Sequence, residues 1–225
     1  MKAFVAGATG ATGQIIVRKL IQRGVPVRAL VRDPVAARQQ LPIEAELIQA
    51  DLLDRKALSQ AIDSCSLLLS ATGARPSLDP TGPYKVDYLG SRNLVDAAKE
   101  MGVEHFVMVS SLCVSKLFHP LNLFWLVLYW KKQAEEYLQS SGLTYTIVRP
   151  GGLKNEDSEE RHLVMAPADT LFEGSVSRLK VAETCMESLF HRDARNQIIE
   201  IISNEQAAEQ KYKDLFAQMV GGAGS

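Results

Sequence analysis

Two hydrophobic periods alternate along the chain. Short, mostly apolar runs stand at 3–6, 27–31, 45–49, 67–70, 105–110 and 145–149. Between them, at 13–22, 55–64, 86–101 and 123–140, apolar residues recur every three or four positions. The first pattern predicts strands and the second amphipathic helices. Strict alternation of the two predicts parallel strands joined by right-handed crossovers, an α/β doubly wound sheet. Several strand runs carry no polar alternation, as expected where helices cover both faces of the sheet.

Beyond residue 149 the regularity fades. Pro150, Gly151 and Gly152 form a turn signal, and KNEDSEERH soon after it reads as an exposed excursion. A helix is expected at 180–190, a strand at 197–202 and a last helix at 205–219. The chain is expected to be one domain over 1–220, with 150–203 forming a small lobe over the carboxyl ends of the strands and 221–225, GGAGS, a flexible tail.

The first strand leads into AGATGATGQ, placing Gly7, Gly10 and Gly13 between a strand and a helix. Glycine at the first position permits a sharp turn, and at the second it lets backbone approach a pyrophosphate. At the third it lets the helix pack closely on the sheet. The helix then offers free N–H groups and its positive dipole end to the phosphates. Thr9 and Thr12 add hydroxyls, and Ala11 completes the turn. This placement predicts a Rossmann dinucleotide site.

The second strand ends in ALVRDP, with Arg32 where an NAD site would carry a carboxylate for the ribose 2′-hydroxyl. A guanidinium suits a 2′-phosphate, so the expected cofactor is NADP. Asp33, preceding a proline, is expected to lead or cap the next turn. Asp51 and Leu52 follow the third strand, where they meet the adenine ring or, for Asp51, cap the next helix. Ala71, Thr72 and Gly73 end the fourth strand with side chains small enough for backbone to pass close to the cofactor.

Composition narrows the function without naming it. The formal net charge is −1, which offers no electrostatic case for a nucleic-acid or an anionic-membrane partner. Cys65, Cys113 and Cys185 are widely spaced with no metal-ligand pattern, and read as reduced, packed thiols. The opening MKAFVAGATG enters a strand at once and predicts no leader segment. The most apolar run, 123–130, is too short to cross a bilayer, so only peripheral membrane contact is compatible with it. A cytoplasmic or plastid stroma-like compartment is expected.

GATGATG, ALVRDP, QADLLD, SATGA, VSSL, WKKQAEEYL and TIVRPGGL stand in the order seen in atypical short-chain dehydrogenase/reductases. The chain resembles their NmrA-like NAD(P)-binding branch, and is similar over roughly residues 1–200 to the NADP-binding domains of plastid inner-envelope redox proteins associated with import. The resemblance implies a Rossmann fold, a nicotinamide cofactor and either a small-molecule acceptor or a redox protein as partner. In extended members of the superfamily the active helix reads Y-x-x-x-K-x-x-A-E. Aligning Ala134 and Glu135 puts Lys131 in the lysine position and Val127 in the tyrosine position. Tyr129 lies about 200° round the helix from Val127 and is expected to face elsewhere.

The resemblance implies that Lys131 contacts the nicotinamide ribose and that Ser110 and Ser111 keep a hydroxyl near the substrate. It also implies that Pro150, Gly151, Gly152 and Leu153 pass near the nicotinamide end. Without tyrosine the proton donor for ketone reduction is missing. The expectation is therefore hydride transfer to a flavin-, quinone- or tetrapyrrole-like acceptor, or nucleotide binding without chemistry. Phe118, Leu121, Phe124, Trp125 and Trp130 are candidates for an apolar wall, a docking surface or ordinary core.

Overall fold

The computed structural model describes residues 1–74, 77–158 and 160–221. Residues 222–225 of the expected tail lie outside the described residues. The strands are β1 Ala3–Ala6, β2 Val27–Val31, β3 Glu46–Gln49, β4 Leu67–Ser70, β5 His105–Val109, β6 Tyr145–Pro150, β7 Gly152–Lys154, β8 His162–Pro167, β9 Ser175–Ser177 and β10 Gln197–Asn204. The helices are α1 Ala11–Gln22, α2 Pro34–Arg38, α3 Arg55–Ile62, α4 Ser91–Glu100, α5 Val127–Ser140, α6 Arg178–Ser188 and α7 Tyr212–Gly221.

Among the described residues one sheet runs in the order β3-β2-β1-β4-β5-β6-β10-β9-β7, with β8 beside β10. From β3 across to β10 every pairing is parallel. This is a doubly wound Rossmann sheet, and β1 shows why. Ala3 and Val5 point to a core formed with Ile16, Val17 and Leu20 of α1 and Val181 and Cys185 of α6. Phe4 and Ala6 point to an opposite core with Leu58 and Ile62 of α3, Leu94 of α4 and Leu138 of α5. A strand buried on both faces needs apolar residues at every position, so its sequence carries no alternation. Strand order reverses at β1, between β2 and β4, and opens a crevice at the carboxyl ends of the strands.

Four departures from the sequence expectation have local causes. The short helix α2 follows β2 because Asp33 Oδ1 accepts from Val35 N (2.9 Å) and Ala36 N (3.1 Å), with Pro34 in the first turn. The helix expected from 86 is entered through a π-helical segment, Tyr84–Gly90. The helix expected from 123 starts only at Val127. Pro120–Leu123 close a 3₁₀ turn, Trp125 and Leu126 sit at φ +56° and +59°, and the Asn122 side chain caps α5 from upstream. The last helix begins at Tyr212, since β10 runs on to Asn204, whose side chain makes a turn with Gln206 N (2.8 Å).

Past residue 150 the chain returns to the sheet. Strand β8 lies antiparallel along β10 from Pro167 opposite Ile199 to His162 opposite Asn204, and β7 pairs with β9.

Candidate functional site

The glycine turn is locked by backbone contacts that exclude side chains. Gly7 sits at φ +76°, and a Cβ built there would stand 2.5 Å from the Ala71 carbonyl oxygen at the end of β4. A Cβ on Gly13 would stand 2.0 Å from the Gly7 carbonyl oxygen. Thus the first and third glycines hold α1, the turn and β4 together. Gly10 N donates to Gly7 O at 2.9 Å and tightens the turn. Gly10 caps α1 without a side-chain hydrogen bond, and no acidic residue stands in the first turn. The leading N–H groups and the dipole therefore face the crevice unneutralised, a cradle suited to a pyrophosphate. Ala11 is exposed, Thr9 part-exposed and Thr12 buried. The Thr9 carbonyl accepts from Gln14 Nε2 (3.1 Å).

At the end of β2, Asp33 is committed to capping α2, while the Arg32 side chain is exposed. Gln49 Nε2 donates to the Arg32 carbonyl (2.9 Å), tying the ends of β2 and β3 together beneath that side chain. Asp51 Oδ1 accepts from Leu53 N (2.8 Å) in a turn, whereas Asp54 caps α3 through Ala57 N (3.0 Å). Of the two roles left open for Asp51, the helix cap is thus taken by Asp54. Leu52 packs against Gly90 and the second core, and its carbonyl accepts from Asn93 Nδ2 (2.9 Å).

The crevice continues at the ends of β4 and β5. It is lined by Ser70, Thr72, Asp87, Ser110 and Lys131, with Met108 and Ala134 beneath. Lys131 Nζ lies 2.7 Å from Asp87 Oδ1, in an ion pair whose carboxylate is almost wholly buried. Asp87 Oδ2 accepts from Ala74 N (3.2 Å), and a Cβ on Gly73 would lie 3.8 Å from both Asp87 Oδ1 and Lys131 Nζ. The loop after β4 therefore wraps the pair closely. Ser70 and Thr72 share a hydrogen bond at 3.0 Å. The Ser110 hydroxyl is buried with no protein partner, and Ser111 is part-exposed beside it. A buried hydroxyl without a partner, aimed at a crevice, is a group free to meet a ligand.

Val127 opens α5 and packs against Leu112, Cys113, Val114 and Leu128. Tyr129 stacks edge-on against Trp130 at 5.0 Å, and Trp130 also meets Tyr84 (4.9 Å) and Tyr88 (5.7 Å). Trp130 is thus part of an aromatic cluster between α5 and the π-helix. Phe118, Leu121, Phe124 and Trp125 are exposed. The Cys113 thiol is buried and donates to the Phe172 carbonyl (3.1 Å), and burial pushes its pKa up.

Pro150 ends β6, with its carbonyl accepting from Leu112 N (3.0 Å). Gly151 N donates to Ile201 O and Gly152 N to Gly174 O, each at 2.9 Å, while Leu153 pairs with Val176. A Cβ on Gly151 would meet the Gly174 carbonyl oxygen at 2.7 Å, so glycine is required where β6 turns into β7.

Sequence reading missed two groups. Asp87 is one, its only signal an acid amid the apolar and aromatic residues of YKVDYLG. The other is a buried ionic centre beside the crevice. Arg149 makes a paired contact with Glu135, Nε to Oε1 at 3.0 Å and Nη2 to Oε2 at 2.7 Å. Its Nη1 reaches Asp169 (3.0 Å) and Glu200 (3.2 Å), and Glu200 also accepts from the backbone N–H groups of Asp169, Thr170 and Leu171. Desolvation pulls the Arg149 pKa down, but the hydrogen bonds and charge of its carboxylate partners outweigh it and hold the guanidinium charged. The signal was an arginine in TIVRP and a glutamate in IIEII, single charges inside otherwise apolar strands.

A profile described as NAD(P)H-binding matches residues 7–192. An uncharacterized chloroplastic protein of Arabidopsis thaliana is 45% identical, with 98% of this chain and 83% of that protein aligned. Protein TIC 62 of Arabidopsis thaliana, also chloroplastic, is 41% identical over 81% of this chain, which spans only 33% of that longer protein. Sanguinarine reductase of Eschscholzia californica is 31% identical over 97% of this chain and 96% of its own. A solved Bacillus halodurans structure, provisionally described as an NAD-dependent epimerase/dehydratase, superposes with a TM-score of 0.84 at 25% identity, covering 97% of this chain and 99% of that one.

Proposed function

The chain belongs to the NAD(P)H-binding family, in the manner of the atypical short-chain dehydrogenase/reductases, and from that premise we propose that it binds NADP(H) in preference to NAD(H) and passes hydride to a planar, conjugated acceptor. Flavins, quinones and tetrapyrroles form that acceptor class. The observation that carries the reading is Val127 at the head of α5, in the tyrosine position, with Lys131 retained one turn along and held by Asp87 at the crevice. A valine donates no proton, and such acceptors need none from the enzyme because solvent protonates them after reduction. A bound nicotinamide cofactor supplies the hydride.

The chain's own residues do the rest. The turn Gly7–Gly10–Gly13 and the α1 N-terminus hold the pyrophosphate, and Lys131 orients the ribose. Ser110 offers its unpartnered hydroxyl to the acceptor. Arg32 supports NADP over NAD because its guanidinium is exposed at the end of β2 while the neighbouring carboxylate of Asp33 is spent on α2. Arg32→Ala should weaken NADPH by about 1–3 kcal/mol and NADH little. Equal loss for both would remove Arg32 from the 2′-phosphate.

The deciding measurement follows NADPH absorbance with purified protein and a panel of FMN, riboflavin, quinones and biliverdin. Saturable oxidation above the protein-free control, weaker with NADH, supports the reductase. Tight binding without turnover supports a second reading, a nucleotide-occupied sensor or scaffold for a redox protein partner. That reading is favoured by the missing tyrosine together with a lysine already engaged by a buried acid. The printed chloroplastic setting of the relatives supports a plastid stroma-like or equivalent compartment.

A further inference from the structure

The Arg149 centre is closed to ligands, yet its charges do not cancel. Both oxygens of Glu135 are held by the guanidinium, at 3.0 and 2.7 Å. The oxygens of Glu200 accept from Arg149 Nη1 and from the N–H groups of Asp169, Thr170 and Leu171, which leaves no place for a proton on that carboxylate. Asp169, the third acid, accepts from Nη1 at 3.0 Å. Burial pushes its pKa up, but the Ser115 hydroxyl and the charges of Arg149 and Lys132 outweigh that and hold it below the ordinary carboxylate value. Three carboxylates facing one guanidinium leave an excess of two negative charges.

That excess stands directly behind the crevice. Glu135 follows Ala134, which lines the crevice floor, and lies one helical turn beyond Lys131. Arg149 sits on β6 between Val148, whose carbonyl accepts from Ser110 N (2.7 Å), and Pro150, whose carbonyl accepts from Leu112 N (3.0 Å). The Ser110 hydroxyl, 7% exposed and unpartnered, faces the crevice on that same edge. Beyond it, burial raises the pKa of the Cys113 thiol, Lys116 opposes the rise, and the charges of Glu200 and Asp169 add to it. The carboxylates are therefore felt in the apolar group where Cys113 and Val127 pack. Closer to the crevice Lys131 and Asp87 cancel one another, and Lys132 is answered by Glu136 at 3.9 Å.

A low-dielectric wall transmits charge further than water does. An excess of negative charge behind it stabilises a cation in the crevice over a neutral group of the same shape. Giving up hydride converts a neutral dihydronicotinamide ring into a cationic one. We infer that the Arg149 centre acts through its field on bound nucleotide, favouring the oxidised, cationic form and so making the reduced form a stronger hydride donor. The hydride carries one proton and two electrons to the acceptor, and solvent supplies any second proton. The inference rests on the nicotinamide end of the cofactor lying in this crevice, and it holds whether or not an acceptor is turned over.

Asp169→Asn isolates the charge. Asparagine keeps an oxygen for Arg149 Nη1 and tolerates the left-handed backbone at residue 169, where φ is +61°. Dissociation constants for NADP⁺ and NADPH, measured separately by titration calorimetry on the whole protein, give the ratio by which the oxidised form is preferred. Asp169→Asn should lower that ratio about fourfold, the scale of one partly screened charge. Lys132→Met, which removes a cation acting on Asp169, should raise it. Asp193→Asn makes the same change at an exposed position before the start of β10, at the end of the sheet away from the crevice, and should leave the ratio at its wild-type value. A ratio that Asp169→Asn fails to lower, or that Lys132→Met fails to raise, overturns the inference while nucleotide binding stands. An equal shift in Asp193→Asn overturns it too, by assigning the effect to overall charge. Wild type that binds neither nucleotide overturns the reading of the site, and the inference with it.

Discussion

Two of the ion pairs made by helix α5 stand one turn apart and are built on opposite plans. Glu135 faces Arg149 in a centre where the guanidinium and both Glu135 and Glu200 are fully buried and hydrogen-bonded nearly to capacity. Lys131 faces Asp87 at the rim, with the lysine part-exposed, one carboxylate oxygen held by a single backbone N–H and the Ser110 hydroxyl nearby unclaimed. A closed centre spends its polar capacity inside the protein and ties β6, β10 and α5 into one unit. An open one keeps capacity in reserve at a crevice. The difference separates a charge cluster closed on itself from one left open to a ligand, without reference to residue type.

The comparison breaks most sharply at Arg149. Arg149→Met should destabilise the fold by about 3–5 kcal/mol in urea unfolding, because it strands buried carboxylates. A loss below about 1 kcal/mol would show that water reaches the centre and that it is not closed.

His105 sharpens the contrast from the uncharged side. Thr146 Oγ1 donates to Ala194 O (2.7 Å) and so accepts from His105 Nε2 (2.9 Å), which fixes a neutral ring protonated at Nε2. Burial, aided by the Arg195 charge, depresses its pKa to about 4. The unfolded chain takes up this proton near pH 6.5, so the contribution is intact above 6.5. It is lost progressively as pH falls from 6.5 to 4, by about 3 kcal/mol in total. The difference in acid stability between wild type and His105→Gln should carry that slope. Parallel curves would show that the folded ring titrates normally.

At the open pair, Lys131→Met should cost only about 1–2 kcal/mol of stability, less than Arg149→Met, while weakening nucleotide binding measured by fluorescence titration. Equal stability costs at the two sites would erase the distinction drawn between them. The smallest effect concerns the two aspartates after β3. Asp54→Ala should lower stability by about 1 kcal/mol through its lost helix cap, and Asp51→Ala by clearly less, by thermal unfolding.

The parallel half of the fold was legible because burial on both faces writes itself into unbroken apolar runs such as FVA in β1 and LLLS in β4. The glycine turn was legible because its constraint is local, from Gly7 to Gly13. Strand β8 was not, since HLVMAP follows directly on a polar excursion and is ordered only by pairing with β10, some thirty-five residues later. The start of α5 was misplaced for a similar reason, because apolar spacing cannot reveal that Asn122 and two left-handed residues interrupt the helix. Asp87 was missed because its partner lies 44 residues away on another helix. The Arg149 centre likewise depends on the register that sets Arg149 opposite Glu200.

That register bears on how the protein is made. Glu200 lies on β10, which pairs with β6 only after residues 197–204 have been synthesised. Until then the emerging polypeptide carries β6 as an open edge, with Arg149 lacking one of its carboxylates, an arrangement prone to pairing with neighbouring nascent chains. Translation that stops short of residue 197 would therefore leave β6 an open edge, a species exposed to aggregation and proteolysis.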